Sequence, residues 1–191
     1  LIILKLAGMG QRQSPAAALA APARYDGPMR VGVLSDTHGN IGATTMAVSL
    51  LRGRGADFFV HCGDIGSVSV LDVLADLPTA FVWGNCDYDR GTLQSYATAL
   101  GLRCLGTGGE LTLAHKRLFV LHGDDAALKN IVLKQQQHDF VLQGHTHVPE
   151  DRRIGRLRLI NPGALHRVKV PTVALLDLAT DQVELIALPD P

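Results

Sequence analysis

The sequence predicts an α/β fold built from two facing mixed β-sheets flanked by helices. Three observations predict it. Apolar runs of strand length alternate with stretches of helical spacing through residues 31–83. Each of those runs ends in a polar block that contains glycine. Beyond residue 110 the apolar runs follow one another with little helix between them, which implies a second sheet, mixed or antiparallel.

The first expected strand, residues 31–34, runs directly into Ser35-Asp36-Thr37-His38-Gly39-Asn40. Residues 41–51 have helical spacing, with Met46, Leu50 and Leu51 as expected buried positions and Gly53 and Gly55 closing the element. A strand over 58–61 leads into Cys62-Gly63-Asp64. A helix over 68–77 is stopped by Pro78, and a strand over 80–83 leads into Gly84-Asn85-Cys86-Asp87. Such repeats imply largely parallel strands joined by right-handed crossovers, with ligands bound at the carboxyl ends of the strands. Residues 111–113 and 118–121 flank a polar turn at 115–117 and read as a hairpin delivering His122-Gly123-Asp124. A helix within 126–136 precedes a strand over 140–142, which delivers Gly144-His145-Thr146-His147; strands over 153–160, 173–176 and 183–187 complete the chain.

At 191 residues the chain has room for one domain with a substantial core. Its 18 basic and 18 acidic residues cancel, so no global field recruits nucleic acid or an anionic membrane. The longest apolar runs fall short of the roughly 20 residues that cross a bilayer. Three cysteines, Cys62, Cys86 and Cys104, are too few and too irregularly spaced for a thiolate cluster or a disulfide framework, which points to a reducing, cytoplasmic setting. Residues 1–8 are apolar and 15–23 are rich in Ala and Pro, superficially like an export signal. The apolar part is short and carries Lys5, and Met29-Arg30-Val31 reads as the start of the fold. Residues 1–28 are therefore expected to be an extension or leader, and 29–191 a single domain.

The polar blocks carry the chemistry. Asp36 and His38 lie two apart after a strand, so an extended backbone would set them on one side with Thr37 turned away. By itself this pair also reads as an N-cap and a loop histidine. Asp64 reads as a bridging carboxylate or as the N-cap of the following helix, and Asn85 as an amide ligand or a turn former. His122, His145 and His147 tip the balance. Three histidines beside glycines at strand ends, facing two aspartates and an asparagine placed likewise, form a mixed nitrogen and oxygen set suited to divalent metals. His61 reads as a structural hydrogen-bond partner. Asp87 and Asp124 are candidate partners of ligand histidines. Arg167 and Lys169 are candidates for phosphate contact, or members of a solvated face with Arg152, Arg153, Arg156 and Arg158.

Taken in order, SDTHGN at 35–40, GD at 63–64, GNCD at 84–87, HGD at 122–124, GHTH at 144–147 and NPGA at 161–164 resemble the calcineurin-like metallophosphoesterase superfamily, specifically its small bacterial and archaeal phosphodiesterase branch. The resemblance spans residues 29 to the C-terminus. It implies that Asp36, His38, Asp64 and His147 hold one ion and Asp64, Asn85, His122 and His145 a second, Asp64 bridging. Manganese is the expected metal, with iron, nickel, zinc or magnesium as alternatives. Two divalent ions against two carboxylates and a hydroxide leave a net positive centre, able to bind phosphate and activate water without a nucleophilic side chain. Many members of the superfamily carry histidine after the ligand asparagine; this chain and the small branch carry cysteine, here Cys86. A thiol is the poorer acid for a departing alcohol. The expected activity is hydrolysis of a small phosphodiester. The alternatives are a phosphomonoesterase and a protein-binding scaffold like the retromer subunit that shares this fold. Few aromatic residues speak against a long nucleic-acid track. A homo-oligomer remains open.

Overall fold

In the computed structural model, which describes residues 28–189, the chain runs through β1 (Arg30–Leu34), α1 (Ile41–Gly53), β2 (Phe58–His61), α2 (Val68–Leu74), β3 (Thr79–Phe81), α3 (Arg90–Ala99), β4 (Arg103–Cys104), β5 (Gly108–Leu113), β6 (Lys116–Leu121), α4 (Ala126–Gln135), β7 (Phe140–Leu142), β8 (Glu150–Ile154), β9 (Leu157–Asn161), β10 (Thr172–Asp177) and β11 (Gln182–Ala187). Apart from Pro28, the expected extension at 1–28 lies outside the described residues. Two sheets form, in the orders β11-β10-β1-β2-β3-β4 and β5-β6-β7-β9-β8. Strands β1 to β4 are parallel, as are β6, β7 and β9. The remaining pairings are antiparallel, so both sheets are mixed.

Two-residue periodicity builds the layers. Val31 and Val33, Phe58 and Val60, and Ala80 and Val82 meet Leu118, Val120, Phe140 and Leu142 in the core between the sheets. The alternate residues Phe59 and Phe81 pack outward with Leu51, Leu71, Leu74, Leu93 and Ala97 of α1 to α3. On the far side, Leu121, Val141 and Leu159 pack with Val132 of α4. Burying one side chain of this kind contributes about 1.5–3 kcal/mol, so the three apolar layers dominate the folding energy. The N-caps are Asn40, Asp89 and Asp125, each accepting a backbone N–H from the first turn of its helix.

Several elements differ from the sequence expectation. The buried stripe of α1 is Thr44, Ala47, Val48 and Leu51; Met46 and Leu50 are only partly buried. Helix α1 lies close on Gly32, whose added Cβ would stand 3.0 Å from Leu51. Helix α2 ends at Leu74 rather than 77. The strand expected over 153–160 is a hairpin, β8 and β9, turned at Gly155 with φ 59°. Helix α3 and strand β4 were not expected, and β10 and β11 complete the first sheet rather than the second.

Candidate metal centre

The carboxyl ends of β1, β2 and β3 in one sheet and of β6 and β7 in the other carry all seven expected residues to a shared rim. Contacts link them continuously. Asn85 Oδ1 lies 3.1 Å from both His145 Nδ1 and His122 Nε2. Asp64 Oδ2 lies 3.4 Å from His122 Nε2 and 3.6 Å from His38 Nε2. Asp36 Oδ1 lies 3.1 Å from His147 Nε2 and 4.0 Å from His38 Nε2. Two groups emerge, Asp36/His38/His147 and Asn85/His122/His145, with one oxygen of Asp64 between a histidine of each.

The backbone achieves this differently from the extended geometry expected. Asp36, His38, Asp64, His145 and His147 all have positive φ, between 43° and 70°. This left-handed region is one that Asp and His tolerate better than most residues. Thr37 does turn away from the centre: its hydroxyl lies 3.0 Å from His61 Nε2 and donates toward the Asp64 and Ile65 carbonyls. Asn161 of the NPGA turn secures the opposite loop, its amide donating to the Gly144 carbonyl and the Thr146 hydroxyl. Two glycines permit the close approach. A Cβ on Gly84 would overlap Asp64, and one on Gly63, with φ 95°, would stand 2.7 Å from His122 Nδ1.

Electrostatics suit cations. Asp36, Asp64 and His122 are buried, whereas Asn85 and His145 are exposed, so the centre is anchored on one side and open on the other. Asp36 Oδ1 is buried and accepts no hydrogen bond among the described residues, although two imidazole nitrogens face it. An orphaned carboxylate oxygen of this kind is what a cation would satisfy. His122 Nδ1 lies 2.8 Å from the Cys62 carbonyl; donating there leaves Nε2 free to ligate, the outer-shell arrangement typical of metal histidines. Burial opposes ionisation of Asp64, but the bonds from His122 and the Cys86 backbone N–H outweigh it and hold the carboxyl below its usual range. Burial likewise opposes a charged His122, yet Asp64 raises its pKa. Carboxylate and histidine atoms in the sets Asp36/His38/His147 and Asp36/Asp64/His122 all lie within 4.8 Å of one another, so the residues present fit divalent metal.

Asn40 caps α1 and Ser67 occupies the N-cap position of α2, so neither Asp36 nor Asp64 is a helix cap. His61 accepts the Gly63 N–H at Nδ1 and is buried; burial drives its pKa down to about 3, keeping it neutral and structural. Asp87 binds no histidine. It accepts the backbone N–H groups of Asp64, Gly66 and Gly84, tying two ligand loops together. Asp124, Arg167 and Lys169 are exposed, and Arg158 is paired with Asp151. Burial and Asp64 push the Cys86 thiol up, and burial pushes Cys62 well up, so neither is a ready nucleophile. One residue escaped the sequence reading. The His166 ring lies 5.6 Å from that of His38, at the rim. Its position two residues past NPGA is the signal that could have found it.

The chain is similar to known phosphoesterases in sequence and in fold. The calcineurin-like phosphoesterase superfamily domain matches residues 29–181. A phosphodiesterase of Methanocaldococcus jannaschii is 24% identical over 165 residues, covering 84% of this chain and 99% of the relative. A phosphodiesterase of Escherichia coli K12 is 28% identical over 180 residues, covering 85% and 94%. Among solved structures, an archaeal phosphodiesterase superposes with TM-score 0.78 at 23% identity, over 84% of this chain and all of that one. Vps29 of Entamoeba histolytica in complex with zinc does so with TM-score 0.57 at 19% identity, again over 84% and 100%.

Proposed function

The chain belongs to the calcineurin-like phosphoesterase superfamily, and from that premise we propose that it is a phosphodiesterase acting on a small diester with two divalent ions. One observation carries the proposal: Asp64 Oδ2 lies within 3.6 Å of His38 Nε2 and His122 Nε2, one from each ligand group. Asp36, His38, Asp64 and His147 would hold one ion, and Asp64, Asn85, His122 and His145 the other. Bound there, such a pair activates water and offsets the charge of a phosphate. Mixed nitrogen and oxygen ligation favours manganese, iron, nickel or zinc over an all-oxygen magnesium site, and manganese is our assignment.

The chain's own groups do the positioning. Cys62 O and the Cys86 N–H orient His122 and Asp64, and the exposed Asn85 and His145 leave an entrance for substrate. Cys86 is a neutral thiol and a weak proton donor, which suits diesters with good leaving groups. Three free cysteines support a reducing, cytoplasmic setting. Among the described residues no helix is long and apolar enough to cross a membrane. A scaffold role rests on shared fold alone.

The test is Asp64→Ala. Metal content after purification and reconstitution should fall well below two ions per chain, and diester hydrolysis should be lost. Retention of both ions and activity overturns the bridge. Comparing mono- and diesters at matched metal loading separates phosphodiesterase from phosphomonoesterase.

A further inference from the structure

Beyond Cys86 the centre adjoins a second cavity that holds none of the candidate ligands. Its volume is about 310 Å³, and Ser67, Cys86, Asp87, Tyr88, Asp89 and Leu93 are among its lining residues. Cys86 belongs to both sites. Its backbone N–H donates to Asp64 Oδ1 at 2.8 Å, and its sulfur lies within 4.8 Å of ligand atoms of Asp64 and His38. A phosphate held at the centre would have this space within reach of one of its substituents.

The lining defines that substituent. The volume is at the small end of ligand sites, enough for a single ring system. No Lys, Arg or His lines it, whereas Asp87 and Asp89 do. The neighbouring Arg90 is not a lining residue and donates to the Gly84 and Asp87 carbonyls. A second anionic group on the substituent would meet the two carboxylates of the lining. Tyr88, 87% exposed, presents an aromatic face with an unusual share of its surface in water. Ser67 supplies the remaining feature, a lining side chain whose hydroxyl has no hydrogen-bond partner among the described residues.

We propose that this cavity seats one ester arm of the substrate, and that the arm is an uncharged aromatic group, an aryl or nucleoside moiety, stacked on Tyr88 with a polar edge toward Ser67. The proposal rests on the phosphodiesterase reading above and narrows its substrate class. Arms bearing a further phosphate or carboxylate are excluded.

Single-armed phosphonates test it, because their C–P bond resists hydrolysis and their one arm is free to turn into the cavity. Calorimetry on the metal-loaded chain should give benzylphosphonate a Kd about tenfold below that of methylphosphonate, the stacking increment of one ring. A para-carboxylate on the benzyl group should erase that advantage. Tyr88→Ala, at an exposed position that the fold does not need, should bring the methyl-to-benzyl ratio close to one. Ser67→Ala should weaken a phosphonate whose ring carries a hydrogen-bonding edge more than it weakens benzylphosphonate. Equal affinities for methyl and benzyl probes in the unaltered chain, or a ratio indifferent to Tyr88→Ala, would overturn the proposal. Diester turnover is measured separately. Its absence from metal-loaded protein defeats the phosphodiesterase reading, whereas turnover without ring preference defeats this inference alone.

Discussion

Cys86 and His61 show how a single side chain sets limits at this site. The Cys86 thiol is raised by burial and by Asp64, so it donates a proton poorly to a departing alkoxide. Cys86→His should therefore raise kcat/KM more for alkyl phosphodiesters than for activated aryl diesters. The comparison requires a pH series with metal occupancy checked in both proteins. An equal or smaller gain on the alkyl substrate counts against the idea and leaves Cys86 as a shaping residue. His61 bears on stability instead. Its folded pKa of about 3 lies below the usual unfolded value of about 6.5, so between those limits the unfolded chain binds the extra proton. Its contribution is intact above pH 6.5 and is lost as pH falls toward 3, by up to about 1.4 kcal/mol per pH unit. Urea unfolding of metal-free protein from pH 7.5 to 4.5 should show a shallower slope in His61→Gln. Identical slopes would sink this account.

At the scale of elements, the loops depend on Asp87 more than on any strand. Its carboxylate gathers three backbone N–H groups from the turns after β2 and β3. Asp87→Ala leaves those donors without their acceptor and should destabilise the protein by about 3 kcal/mol. Metal affinity should fall roughly 10- to 100-fold as the Asp64 and Asn85 loops loosen. Denaturant titration and metal titration of the same variant check both effects. Elements with two-residue alternation or flanking glycine were readable in advance: residues 58–61 and 140–142 coincide with β2 and β7. Helix α3 was not, because it buries only Leu93 and Ala97 and shows little apolar period. The hairpin of β8 and β9 was hidden because arginine and apolar residues alternate on both sides of Gly155, so the run reads as one strand unless the shift of phase at the turn is noticed. The grouping of the seven polar residues at strand ends was legible from motif order. Their left-handed backbone was not, since glycine is the usual marker of that region and none of the five is glycine. Asp87 binding to backbone rather than to histidine was equally invisible, because a carboxylate's partner depends on which loops fold back beside it.

Across the whole molecule, parallel strands in two separate sheets end on one rim, and that rim carries every candidate ligand. Sequence order indicated two sheets but not their membership. β10 and β11 return to pair beside β1, a long-range choice made by the apolar faces of Ala174 and Leu176 in the central core. Among the described residues the first core residue is Met29, 2% exposed, whose carbonyl accepts the Leu178 N–H. We expect a chain beginning at Met29 to keep its metal stoichiometry and kinetics. Large loss of either in a folded, monodisperse truncation would assign residues 1–28 to the site or to an assembly interface. The five left-handed positions carry a further implication, for how this protein can change over generations. Each costs about 1 kcal/mol against a relaxed backbone, together a sizeable share of the roughly 5–15 kcal/mol that holds a domain folded. Glycine at any of them would relieve that burden and remove a candidate ligand in the same step. A lineage released from hydrolysis would thus gain stability by losing the centre, one codon at a time.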